Sequence, residues 1–84
     1  MRKYNEELIR AFICGRNVSA KTAHVINGLY YSYNTPIASK DGDMVYVDMD
    51  YYSKTMSRQR NELIRECCRR GLTVLELHGT KILP

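Results

Sequence analysis

Apolar residues recur along this chain with two different periods. Leu8, Ile9, Phe12 and Ile13 fall one, four and five positions apart, the spacing that gathers side chains on one face of a helix. Before them, Asn5 can accept from the amides exposed at a helix start, while Glu6 and Glu7 complement the helix dipole. Gly15 can take the left-handed backbone that closes a helix, so the pattern predicts one from about Glu6 to Ile13. The period then becomes two. Asn27-Gly28 and Asp41-Gly42 are dipeptides that accept positive φ in tight hairpin turns, and each sits between residues of high β propensity. Strands are predicted over 21–26, 29–39 and 44–49. Leu29, Tyr31, Tyr33 and Ile37 share one parity in the second strand, and Val45, Val47 and Met49 do so in the third, which makes them candidates for the core. Pro36 cannot donate to a ladder, so the second strand is expected to bend there or to lie on an edge.

After residue 53 the helical period returns. Ser53 or Thr55 can cap, Met56, Leu63, Ile64 and Cys67 form an apolar stripe, and Gly71 terminates, predicting a helix from about Thr55 to Arg70. LTVLELH, residues 72–78, reads as a closing strand. The order αβββαβ describes an α+β fold: one small domain over residues 1–84, with an antiparallel sheet of two linked hairpins packed against two helices.

With 84 residues the chain can support a single core with little stability to spare, and 44% hydrophobic residues suit a folded domain. Cys14, Cys67 and Cys68 are an odd number and two are adjacent, which argues against a disulfide framework. With no CxxC spacing and imidazoles at His24 and His78 alone, no metal site and no cofactor are expected. MRKYNEELIR lacks the continuous apolar segment of a secretion signal and no run reaches membrane-spanning length, so the expectation is a cytoplasmic protein with no membrane partner.

Catalysis needs convergent groups such as a nucleophile beside a base, or paired carboxylates, and no such spacing occurs, so the chain is read as a non-enzyme. Asp41, Asp43, Asp48 and Asp50 invite a calcium reading, but DGDMVYVDMDYY lacks the glycine and the acidic twelfth ligand of a helix-loop-helix calcium loop. Hydroxyls and amides gathered at the start of the second helix beside Arg58 and Arg60 invite a phosphate reading, against a plain capped, solvated helix. Charge is more informative. Residues 54–70 hold six cations and two carboxylates, a net +4 equal to that of the whole chain, whereas residues 41–50 carry −4. Such polarity can steer and orient a charged partner. Because Met56, Leu63, Ile64 and Cys67 must face the sheet, Arg58, Arg65 and Arg69 are expected to line one exposed row, the candidate binding surface for a partner protein or nucleic acid.

Two resemblances bear on function. VSAKTAHVING, residues 18–28, resembles the recognition helix of lactose-repressor-type helix-turn-helix proteins through Val18, Ser19, Thr22, Val25 and Asn27, with Ala23 and His24 departing. A helix there would imply a DNA-reading regulator; the other reading is a strand approaching the Asn-Gly turn. LYYSYNTPIA followed by YYSKTMSRQRN resembles a family of small bacteriophage and mobile-element proteins with an L-Y-S-Y-x-T-x-I-A segment and then Y-S-x-T-T-S-R/K-H-Q-N. Leu29, Ser32, Tyr33, Thr35, Ile37 and Ala38 fit the first part, and Tyr52, Ser53, Thr55, Ser57, Arg58 and Asn61 the second. Met56 and Gln59 depart, and Gln59 cannot do any proton chemistry that a histidine there would do. The resemblance implies a phage-like origin and a shared fold, with no known activity. The expected function is therefore a phage-type accessory protein that binds a host protein or ribonucleoprotein, such as a CRISPR effector in the manner of an anti-CRISPR. The alternative is direct DNA or RNA binding through the arginine helix or residues 18–28.

Overall fold

The computed structural model describes residues 3–50, 53–80 and 82. Two helices, α1 (Lys3–Cys14) and α2 (Lys54–Arg69), pack on one face of a six-stranded sheet: β1 (Val18–Ser19), β2 (Ala23–Ile26), β3 (Leu29–Ser32), β4 (Thr35–Asp41), β5 (Met44–Asp48) and β6 (Thr73–Leu77). Spatial order follows chain order. The first five strands form an antiparallel meander, and β6 joins β5 in parallel after the α2 crossover. The class is α+β as the pattern predicts, but the order is αβββββαβ and the sheet is mixed. A helix of 16 residues returns the chain to the end where β5 began, so the next strand must run alongside β5 in the same direction.

Both helices stop where their glycines predict. Gly15 has φ +77° and Arg16 N–H donates to the Ala11 carbonyl at 2.9 Å; Gly71 has φ +81° and Leu72 N–H donates to the Cys67 carbonyl at 3.0 Å. Each is the six-to-one closure of a Schellman motif. At the start of α2 the Ser53 hydroxyl accepts from Met56 N–H at 3.1 Å. The start of α1 differs from expectation. The helix begins ahead of Asn5, which is therefore no cap and turns its side chain inward, 3% exposed.

Residues 18–19 and 23–26 are strands, so the segment resembling a repressor recognition helix is not helical and cannot enter a groove as one. Asn27 and Gly28, at φ +52° and +80°, form the predicted two-residue turn between β2 and β3. The second predicted turn shifts by one residue. Asp41 pairs with Met44, so the loop is Gly42-Asp43 with the glycine first, at φ +60°.

The long strand expected over 29–39 is broken by a further two-residue turn at Tyr33-Asn34, where Tyr33 takes φ +56°. This break overturns part of the expected core. Parity counted through from Leu29 to Ile37 fails at a reversal, so Tyr30 and Ser32 point inward, fully buried, whereas Leu29 and Tyr31 lie on the opposite face and Tyr33 is exposed. A register shift opposite Tyr30 and Tyr31 places an extra residue in β4, which lets both Ile37 and Ala38 be buried and accommodates the bend expected at Pro36. Val45, Val47, Met56, Leu63 and Cys67 are buried as predicted, with Met49 and Ile64 packed at the margin. Leu8, Ile9 and Phe12 of α1 complete this core, Phe12 meeting Tyr30 edge to face at 6.2 Å.

Candidate binding surface on the second helix

With its apolar stripe turned to the sheet, α2 presents Arg58, Arg65 and Arg69 outward, all exposed. Seven residues are nearly two full turns, so Arg58 and Arg65 stand on one line about 10 Å apart, with Arg69 a further turn along. The predicted row exists, but its members differ chemically. Arg69 is tied to Glu66 through Nη2 at 2.6 and 2.9 Å and Nε at 3.1 Å, and Arg70 reaches the same carboxylate at 3.4 Å. The Glu66 side chain is 8% exposed, and the hydrogen bonds from Arg69 hold its pKa below the ordinary carboxylate value despite an opposing burial effect. Arg58 and Arg65 have no side-chain carboxylate of this kind among the described contacts.

Beside the row lies a cleft of about 290 Å³ between the two helices, lined by Glu6, Arg65, Glu66 and Arg69. Glu6 is also engaged by Arg10 at 3.2 Å. A buried polar chain fixes the spacing of this cleft: the Tyr30 hydroxyl donates to the Asn5 side-chain oxygen, and Asn5 Nδ2 donates to Glu62 Oε1 at 2.9 Å. Thus β3 positions α1, and α1 positions the middle of the α2 row. Sequence reasoning missed this link because it placed Asn5 at a helix cap and Tyr30 on the solvent side. A tyrosine inside a strand whose neighbours are also tyrosines gives little parity signal.

Arg60, which the phosphate reading required at the surface, is instead 8% exposed and spent on the backbone. Its Nη1 donates to the Asp50 carbonyl at 2.8 Å and lies 3.4 Å from that of Asp48, pinning the end of β5 against α2. The acidic run is likewise divided. Asp41 and Asp43 are exposed at the β4–β5 loop, whereas Asp48 is buried at the far end of β5 and accepts Asp50 N–H at 2.9 Å. Asp50 in turn accepts Gly79 N–H at 3.0 Å. The expected acidic pole is two separate features, and among the described residues no His, Cys, Asp and Glu side chains gather as a metal site would need.

The segments LYYSYNTPIA and YYSKTMSRQRN meet in the interior through one side-chain contact. Ser32 Oγ donates to Gln59 Oε1, both residues being buried, so these motif positions join β3 to α2. Tyr52, another motif position, lies outside the described residues. Cys67 is buried and its thiol is pushed up to about 11, chiefly by desolvation, which leaves it unreactive near neutral pH, while Cys14 and Cys68 are exposed.

A family model described as a family of unknown function (DUF8033) matches residues 6–77, and the chain belongs to that family. No curated protein and no solved structure matches the chain.

Proposed function

We propose that this member of a family of unknown function is a small non-enzymatic, phage-type accessory protein that binds and modulates a host macromolecular complex, with the outer face of α2 as its contact surface. The observation that carries the reading is the row itself: Arg58 and Arg65 exposed on a rigid, doubly capped helix beside a cleft, with Arg69 held in place by Glu66. Arginine on a rigid element offers planar, multidentate contacts at low entropic cost, which is why it is enriched where interfaces are strongest. The bacteriophage resemblance supports a host complex as target, and a nucleic-acid-handling or defence assembly such as a CRISPR effector is the reading that fits both features.

A protein target is favoured over direct nucleic-acid binding by the composition of the row. Glu66 takes up Arg69 and Arg70, and Glu62 lies in sequence between Arg58 and Arg65, so the positive charge of the row is partly neutralised where a phosphate backbone would ask for continuous positive charge. Affinity capture from a host lysate with mass spectrometry tests the reading, paired with titration of short duplex and single-stranded oligonucleotides. Capture of one defined complex, with oligonucleotide binding weak at low salt, is the expected result. Tight oligonucleotide binding that falls steeply with salt would transfer the function to direct nucleic-acid recognition.

A further inference from the structure

The sheet ends in two edges of different kinds. At one side β1 is two residues long, whereas at the other β6 runs for five, with no further strand beyond it among the described residues. Two backbone hydrogen bonds fix which way β6 points its polar groups: Thr73 N–H donates to the Asp43 carbonyl at 2.9 Å, and the Leu77 carbonyl accepts from Met49 N–H at 2.8 Å. Residues bonded to one neighbour alternate along a strand, so Thr73, Leu75 and Leu77 serve the ladder with β5. The N–H and C=O groups of Val74 and Glu76 therefore point away from the sheet, and Thr73, Leu75 and Glu76 are exposed. Natural sheets blunt such an edge with lysine, proline, a bulge or a very short strand. The sequence TVLEL has none of these. Nor does α2 bring positive charge to it. One flank of α2 turns toward α1 and β3, since Glu62 bonds Asn5 and Gln59 bonds Ser32. The opposite flank, on the β6 side, carries Ser57, Asn61, Ile64 and Cys68, all uncharged.

We propose that β6 pairs with β6 of a second copy of this chain, antiparallel about a two-fold axis at Leu75, joining the two sheets edge to edge. Three registers match outward-pointing groups with one another. Centring on Glu76 sets its carboxylate opposite the same carboxylate, like charge against like. Centring on Val74 sets Leu77 against Gly71 in the turn that ends α2, so part of each strand goes unpaired. Centring on Leu75 pairs all five residues, Val74 with Glu76 and Thr73 with Leu77 of the second copy, and gives every outward N–H and C=O of Val74 and Glu76 a partner. Leu75 also selects the occupant. It is 41% exposed, one of three large hydrophobic side chains left open among the described residues, and it stands on the Tyr46 side of the sheet. In this register it lies opposite Leu75 of the second copy as a non-hydrogen-bonded pair, the position where facing side chains are closest. A second copy thus brings the hydrogen-bonding phase and the apolar contact that the edge lacks, at matching spacing. One short strand from each copy makes the contact, so the dimer is weak and forms with rising concentration, independently of what α2 binds.

Cysteine cross-linking on the full chain reads the register directly. With Cys14→Ser and Cys68→Ser removing the exposed thiols, Leu75→Cys should give a disulfide-linked dimer under mild oxidation, because Cα atoms of a non-hydrogen-bonded pair lie about 4.5 Å apart, within disulfide reach. Thr73→Cys in the same background carries an equally open thiol but sits about 13 Å along the strand from its own counterpart, and should cross-link little. In sedimentation velocity from micromolar to millimolar concentration, wild type should move from one chain mass toward two. Glu76→Pro, which deletes an outward N–H and leaves the β5 ladder its donors, should stay monomeric with an unchanged circular dichroism spectrum. If that variant fails to fold, the two cysteine variants decide. Equal cross-linking at 73 and 75, a wild type that stays monomeric throughout, or a dimer that survives Glu76→Pro in folded protein would overturn the inference.

Discussion

Glu66 joins stability to the binding row through one carboxylate. The Glu66 side chain is largely covered, and its carboxylate accepts three hydrogen-bond contacts from Arg69 and a fourth from Arg70. Its folded pKa lies below the ordinary 4.5, chiefly through Arg69. Above 4.5 it is ionised whether the chain is folded or not, and the full stabilisation is present. Below that value the unfolded chain takes up a proton before the folded one does, so the contribution drains away as pH falls through the folded pKa. Glu66→Gln lacks this contribution at every pH. Urea denaturation should therefore show wild type more stable than Glu66→Gln at neutral pH, with the gap closing on acidification below about 4.5. A gap independent of pH would mean that Glu66 acts by packing alone. Little of this was visible in sequence, where Glu66 counted merely as a charge subtracted from the arginines.

The helices and most of the turns were legible because their signals are local. Apolar spacing placed α1 and α2, and the glycines at 15 and 71 stopped them. What misled was a turn whose positive-φ position is held by a tyrosine. Tyr33 holds φ +56°, a conformation that costs an L-residue with a Cβ about 1–2 kcal/mol, and nothing in YSYNT marks a reversal as strongly as Asn27-Gly28 does. The structure tolerates this cost, with Tyr33 N–H bonded to the Thr22 carbonyl at 2.8 Å on the adjoining loop. Two substitutions should therefore move stability in opposite directions. Tyr33→Gly relieves the strain at an exposed site and should raise the melting temperature, by less than the full strain because glycine also gains freedom in the unfolded chain. Gly42→Val has open space for its side chain but inherits a φ of +60°, so it should cost about 1 kcal/mol or more. Thermal melts that shift the same way for both would contradict this account of the two loops.

At the scale of the fold, the arginines of α2 stand on the helical layer, while the opposite sheet face carries Ile26, Leu29, Tyr46 and Leu75 together with Asp41 at the end of β4. Sequence found the arginine row because helical periodicity reports a face directly, but it missed the sheet face, which depends on where strands end and how parity resets at Tyr33. This placement decides how the α2 surface should be tested. Replacing Arg58, Arg65 and Arg69 together would also strip Glu66 of its main partner and confuse binding with stability. Arg58→Glu/Arg65→Glu removes the two arginines of the row that make no ion pair among the described residues, leaving the Glu66 cluster intact. Surface substitutions of this kind usually change stability by within about 0.5 kcal/mol each. A pair of arginines at the centre of an interface, by contrast, can carry 2 kcal/mol or more apiece, roughly a thirtyfold loss or greater for each. The double variant should keep its melting temperature and lose capture of the host complex. Capture that persists in folded double variant would make α2 a solvated face and shift the contact to the open sheet or the Asp41–Asp43 loop.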